Sequence, residues 1–147
     1  MHPLPHRYSV SARCTDQGLV PVRSEGLPEL QTSAPPEFDG PPGHWSPETL
    51  LSAAVADCFA LTFRAVARAS RLAWRDLEVD VQATLDRTDG VTRFTHFEIS
   101  AALEVEDAAS QALAEASLAK SKRACLVTQS LLAPCELEAV VRVAPPA

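Results

Sequence analysis

The chain of 147 residues and 15.8 kDa is long enough for one domain, and a domain of this size buries roughly 68–70% of its unfolded surface, so its core needs no disulfide staples. A formal charge of -6 and a pI near 5.1 argue against nucleic acid as a partner, because phosphate contacts need clustered Lys and Arg, and the one basic run, Lys120 to Arg123, is short. The first residues lack the order of a signal peptide and no stretch reads as approaching the ~18 apolar residues of a membrane span, so a cytoplasmic protein that meets no membrane is expected.

Residues 7–33 alternate apolar and polar positions (Tyr8, Val10, Ala12, then Leu19, Val20, Val22) and are broken by Gly18 and Gly26, which predicts short strands joined by turns. Residues 34–45 are rich in proline and glycine and form an extended connector. Ser46-Pro47-Glu48 is a helix start: a capping hydroxyl, a proline where no N–H is needed, and an acid beside the positive end of the dipole. Leu51, Val55, Cys58 and Thr62 then recur at helical spacing, which predicts a helix to about Ser70 with Cys58 facing the core.

Leu72–Leu85 and Val91–Val105 alternate on either side of Asp89-Gly90, a hairpin turn signal. Asp107 is placed to cap a helix from Ala108 to about Lys122, and a short helix should carry Cys125 to Leu132. Pro134 ends it, and Glu136 to Val143 alternates as a last strand. This order predicts a single α+β domain, residues 1–147, with an antiparallel sheet.

Four cysteines in a reducing compartment are expected to be free, catalytic or transiently bridged, and no spacing suggests a metal site. Cys58 and Cys125, 67 residues apart, look like a redox pair, although free cysteine is also a common small core residue. Cys58 sits in mid-helix, where the dipole of its own helix gives it nothing, and Asp57 points about 100° away. Cys125 starts a helix just after Lys122 and Arg123, so electrostatics favour it as the more acidic thiol. Cys14 and Cys135 read as packing residues, with Cys135 a minor rival to Cys125.

Glu48 reads first as a helix N-terminal charge, and alternatively as a group that orients a cation or substrate at the cysteine. Ten residues place it about 15 Å along the axis from Cys58, so if both serve one site a second copy of the chain must supply one of them. His44 and Trp45 read as anchors of the connector, and His96 has no catalytic partner at a recognisable spacing.

Two segments carry a family resemblance: Gly43-x-x-Ser46-Pro-Glu-x-Leu-Leu-x-Ala-Ala-x-Ala-x-Cys58-Phe and Ala124-Cys125-x-Val-x-Gln129. Together they resemble the OsmC/Ohr family of osmotically inducible and organic hydroperoxide resistance proteins, over roughly residue 40 to the end. The resemblance implies an intertwined α+β homodimer with two long central helices and a site at each subunit interface. It further implies that Cys58 attacks a peroxide, that its sulfenic acid is captured by Cys125 as a disulfide, and that Glu48 positions a catalytic arginine. The positions that match this arginine in similar proteins hold Gln17 and Glu37, with Arg13 and Arg23 as substitutes if the first strands are shifted.

The reading that follows is a thiol-dependent peroxidase for organic hydroperoxides, without metal or bound cofactor and restored by a dithiol reductant. Val55, Phe59 and Leu61 around Cys58 favour a bulky alkyl substrate. The rivals are a non-catalytic module that binds an apolar ligand at the dimer interface and a thiol redox sensor.

Overall fold

The computed structural model describes residues 1–145. Its contacts divide the chain into two compact units, Met1–Leu51 and Ser52–Ala147, with the boundary in the opening turns of one long helix. In the first unit the alternating run gives three short antiparallel strands in sequential order, β1 (Ser11–Ala12), β2 (Val20–Arg23) and β3 (Leu30–Thr32). The Thr32 hydroxyl donates to the Val20 carbonyl at 2.9 Å, tying β3 to β2 by a side chain as well.

The connector is ordered and includes one 3-10 turn, Pro36–Phe38. Gly40 is required there by space: a Cβ on it would lie 1.8 Å from the Ala34 carbonyl oxygen. The expected anchoring by Trp45 is done by its main chain, whose carbonyl accepts from the Ser33 N–H at 3.0 Å, whereas the ring is about half exposed.

Helix α1 (Pro47–Ser70) starts and ends where expected. The Ser46 hydroxyl accepts from the Thr49 N–H at 3.1 Å and the Thr49 hydroxyl accepts from the Ser46 N–H at 2.8 Å, so two N-terminal donors are satisfied reciprocally. The buried stripe differs from the expected one. Val55, Phe59, Phe63 and Ala67 are fully buried, Cys58 and Thr62 are half-buried on its flank, and Leu61 is 51% exposed. The two phenylalanines bring the most apolar surface and set which side of α1 turns inward; Phe63 meets Trp74 edge-on with ring centroids 5.3 Å apart.

The expectation that no segment reaches the length and apolarity of a membrane span is also corrected. By length and composition α1 does reach it, with a mean hydropathy of 1.6 over its most apolar window. Its few scattered charges, Glu48, Asp57, Arg64 and Arg68, do not lower that average enough. A single such helix is equally the signature of a core helix, and here its buried stripe belongs to an α+β unit.

The rest of the second unit is a three-stranded sheet in the order β4 (Trp74–Thr88), β5 (Val91–Val105), β6 (Cys135–Val143), with helices α2 (Gln111–Ala124) and α3 (Leu126–Gln129) between β5 and β6. Asp89 and Gly90 both hold positive φ, 51° and 77°, as a two-residue turn matched to strand twist requires. Phe97, Ile99, Ala101, Leu103 and Val105 line one buried face of β5. The sheet is not wholly antiparallel. β6 runs parallel to β5, from Phe97 opposite Cys135 to Val105 opposite Val143. The two helices form the crossover that returns the chain in the same direction, and strand alternation carries no information about direction.

The cap of α2 is as expected, with the Asp107 carboxylate accepting from the Ser110 N–H at 2.9 Å, but the first turn is 3-10 and the α-helix proper covers Gln111–Ala124. Ala114, Ser117, Leu118 and Ser121 form its buried face.

Candidate functional site: a thiol pair between two helices

Cys125 ends α2 and stands immediately before α3 with extended backbone, φ -65° and ψ 113°. This break leaves the first amides of α3 without acceptors inside the helix, and they point at a sulfur from elsewhere in the unit. That sulfur is Cys58, half-buried on α1 and 3.9 Å from the Thr62 hydroxyl one turn along. Burial pushes the Cys58 thiol up. Hydrogen bonds from the Val127 N–H, the Cys125 thiol, the Thr62 hydroxyl and the Leu126 N–H outweigh it and hold Cys58 below the usual thiol range.

Cys125 behaves in the opposite way. Its residue is fully buried, and burial pushes the thiol up further than the Thr128 N–H and hydroxyl pull it down, with the neighbouring Cys58 adding to the rise. The arrangement is a thiolate-favouring sulfur facing a protonated one, with all four cysteines free.

The electrostatic expectation that Cys125 is the more acidic thiol is therefore overturned. A helix start does lie at Cys125, but its leading amides serve Cys58, and desolvation dominates at Cys125 itself. Lys122 acts on Cys135 instead. Cys58 gains nothing from its own helix, as expected; what sequence reasoning missed is the end of a second helix, 67 residues on.

Glu48 lies half-buried in the first turn of the same continuous helix, ten residues before Cys58 and so about 15 Å along its axis. Gln17, Glu37 and Arg13 are exposed, and Arg23 pairs with Glu29. His96 contacts Glu136 at 3.4 Å, from β5 to β6, with the Glu136 side chain largely in solvent. Cys14 is exposed and Cys135 half-buried.

A family model described as OsmC-like protein matches residues 40–140. The chain belongs to the OsmC-like family. The matched span holds Glu48, Cys58, Cys125 and Cys135, whereas Gln17 and Glu37, the residues compared with the family's arginine positions, precede it.

This OsmC-like chain is 28% identical over 109 residues to the uncharacterised protein YmaD of Bacillus subtilis, across 72% of this chain and 73% of that one. An OsmC-like protein of unknown function from Vibrio cholerae has the same fold, with a TM-score of 0.82 at 14% identity over 92% of this chain and 100% of the other. An organic hydroperoxide resistance protein OsmC from Legionella pneumophila superposes with a TM-score of 0.72 at 23% identity, over 95% of this chain and 98% of that one. The α+β expectation thus holds as an OsmC-like fold.

Proposed function

We propose that this OsmC-like chain is a thiol-dependent peroxidase that reduces organic hydroperoxides, working as a single domain over residues 1–147 in a cytoplasmic homodimer. The observation that carries the reading is the asymmetric pair: Cys58 held towards thiolate by the Leu126 and Val127 amides, facing a buried, protonated Cys125. The name of the Legionella relative is in keeping with it.

The Cys58 thiolate attacks the terminal oxygen of the hydroperoxide. The O–O bond breaks, the alkoxide leaves and takes a proton as the alcohol, and Cys58 becomes a sulfenic acid. Cys125 then loses its proton and attacks the Cys58 sulfur, and the hydroxyl departs with a proton as water, leaving a Cys58–Cys125 disulfide. An external dithiol takes over the disulfide and returns both thiols. The exposed Leu61 on α1 and Leu126 at the start of α3 offer apolar surface on the two elements that hold the pair, which suits an alkyl substrate better than hydrogen peroxide. Glu48 is proposed to act at the site of the partner subunit, in orienting a cation.

The test is to add about one equivalent of cumene hydroperoxide to the reduced protein and map disulfides by mass spectrometry, with Cys58→Ser as control. A dithiol-reversible product that requires Cys58 supports the cycle. Thiols that stay reduced overturn it and leave the apolar-ligand module as the reading to pursue.

A further inference from the structure

The second unit also holds a cleft that the thiol pair does not use. It lies near the tip of the β4–β5 hairpin, against the segment that joins α3 to β6, and has a volume of about 330 Å³. Phe94, Leu132, Ala133 and Pro134 give it apolar walls, and Thr88 and Arg93 bring polar groups. Two of these walls are held in place. The Phe94 ring packs on the fully buried Phe97 with centroids 5.3 Å apart, and the Phe97 N–H donates to the Pro134 carbonyl at 3.0 Å. Leu132 is 98% exposed, so an apolar side chain at the cleft is left bare by the chain itself. Arg93 is exposed too and stands opposite Asp86 in the hairpin register, where an ion pair is the ordinary outcome. The Asp86 carboxylate instead accepts from the Arg87 N–H at 2.6 Å, and among the described residues no carboxylate forms an ion pair with Arg93.

We propose that this cleft binds a small amphiphilic carboxylate, whose charged head is taken by the Arg93 guanidinium and whose short apolar chain lies against Phe94, Leu132 and Pro134. A guanidinium matches a carboxylate with two parallel N–H···O bonds and keeps its charge at any working pH. The Thr88 hydroxyl, which makes no hydrogen bond among the described residues, is a further donor. The field of a chain with charge -6 repels anions as a class, so the attraction has to come from this one cation at close range. Each half of the ligand then needs the other: the apolar walls offer nothing to a small inorganic anion, and the guanidinium offers little to a neutral alcohol. The cleft is near the lower end of the roughly 300–1,000 Å³ of ligand pockets, which favours a short chain over a long one. Cys58, Cys125 and the groups that hydrogen-bond to Cys58 do not line it, so the proposal stands or falls apart from the peroxidase reading.

The test is a titration of the whole, isotope-labelled chain with octanoate, followed by amide NMR, with acetate and octanol as probes that each lack one half of the ligand. Octanoate should bind saturably and shift the amides of residues 88–95 and 131–135, and acetate and octanol should each bind at least about tenfold more weakly. Arg93→Gln should weaken octanoate about tenfold or more, as loss of a charge-assisted pair does, and leave the response to octanol unchanged. Its urea midpoint should stay at the wild-type value, because Arg93 is exposed and makes no ion pair. Arg93→Lys keeps the charge without the fork and should fall between the two. Leu132→Ser should weaken octanoate and octanol alike. The absence of saturable shifts up to about 10 mM octanoate, as when a second copy of the chain covers the cleft, overturns the proposal. Binding that Arg93→Gln leaves intact, or shifts that gather elsewhere in the chain, overturns it equally.

Discussion

Two main-chain amides decide the chemistry of Cys58. The Leu126 and Val127 N–H groups and the Thr62 hydroxyl lower its pKa against the opposing effect of burial, so a depressed thiol is expected in the folded chain and an ordinary one in the unfolded chain. The sign follows from linkage: the stability this site contributes is fully present above the unfolded value and is lost as pH falls through the folded one. The rate of alkylation of Cys58 by iodoacetamide, followed against pH, should show a midpoint below 9.0 in native protein and a return to it in urea. Thr62→Val removes one donor and should lower the alkylation rate at pH 7 about two- to five-fold, the effect of roughly 0.5–1 kcal/mol. That Cys58 and Cys125 belong together was legible because their flanking segments are distinctive. Their relative acidity was not, because it is set by amides that only tertiary structure brings to Cys58 and by a degree of burial at Cys125 that helical spacing does not report.

At the scale of elements, local chemistry was read well and orientation poorly. The Asp89-Gly90 turn, the Ser46 cap and the Asp107 cap are each written in a few adjacent residues, and each forms as expected. Ser46→Ala should cost about 1 kcal/mol, read as a shift of the urea midpoint at constant slope. Gly40→Ala tests a constraint of space. The added methyl has no room beside the Ala34 carbonyl, so the connector must move, and a loss of about 1–3 kcal/mol is expected in the same measurement. By contrast, the inward side of α1 and the direction of β6 depend on partners distant in sequence. Apolar residues fall on several sides of α1, and the larger Phe59 and Phe63 rings prevailed over the stripe through Cys58.

For the whole molecule, the apolarity of α1 exceeds what the single chain covers, with 28% of its most apolar window buried. If the proposed homodimer supplies the rest of the cover, the melting temperature should rise by about 2–4 °C for each tenfold increase in protein concentration, and sedimentation should give twice the chain mass. A concentration-independent melt with a monomer mass would set the dimer aside. The same helix has a consequence for how the chain is made. The residues shown against it in its unit, Trp74, Ser117, Leu126 and Val127, all follow it in the sequence. At about 5–20 residues per second, the last of them is synthesised about 3–11 s after α1 is complete. During that interval a nascent segment with the apolarity of a membrane span is open to targeting factors and chaperones.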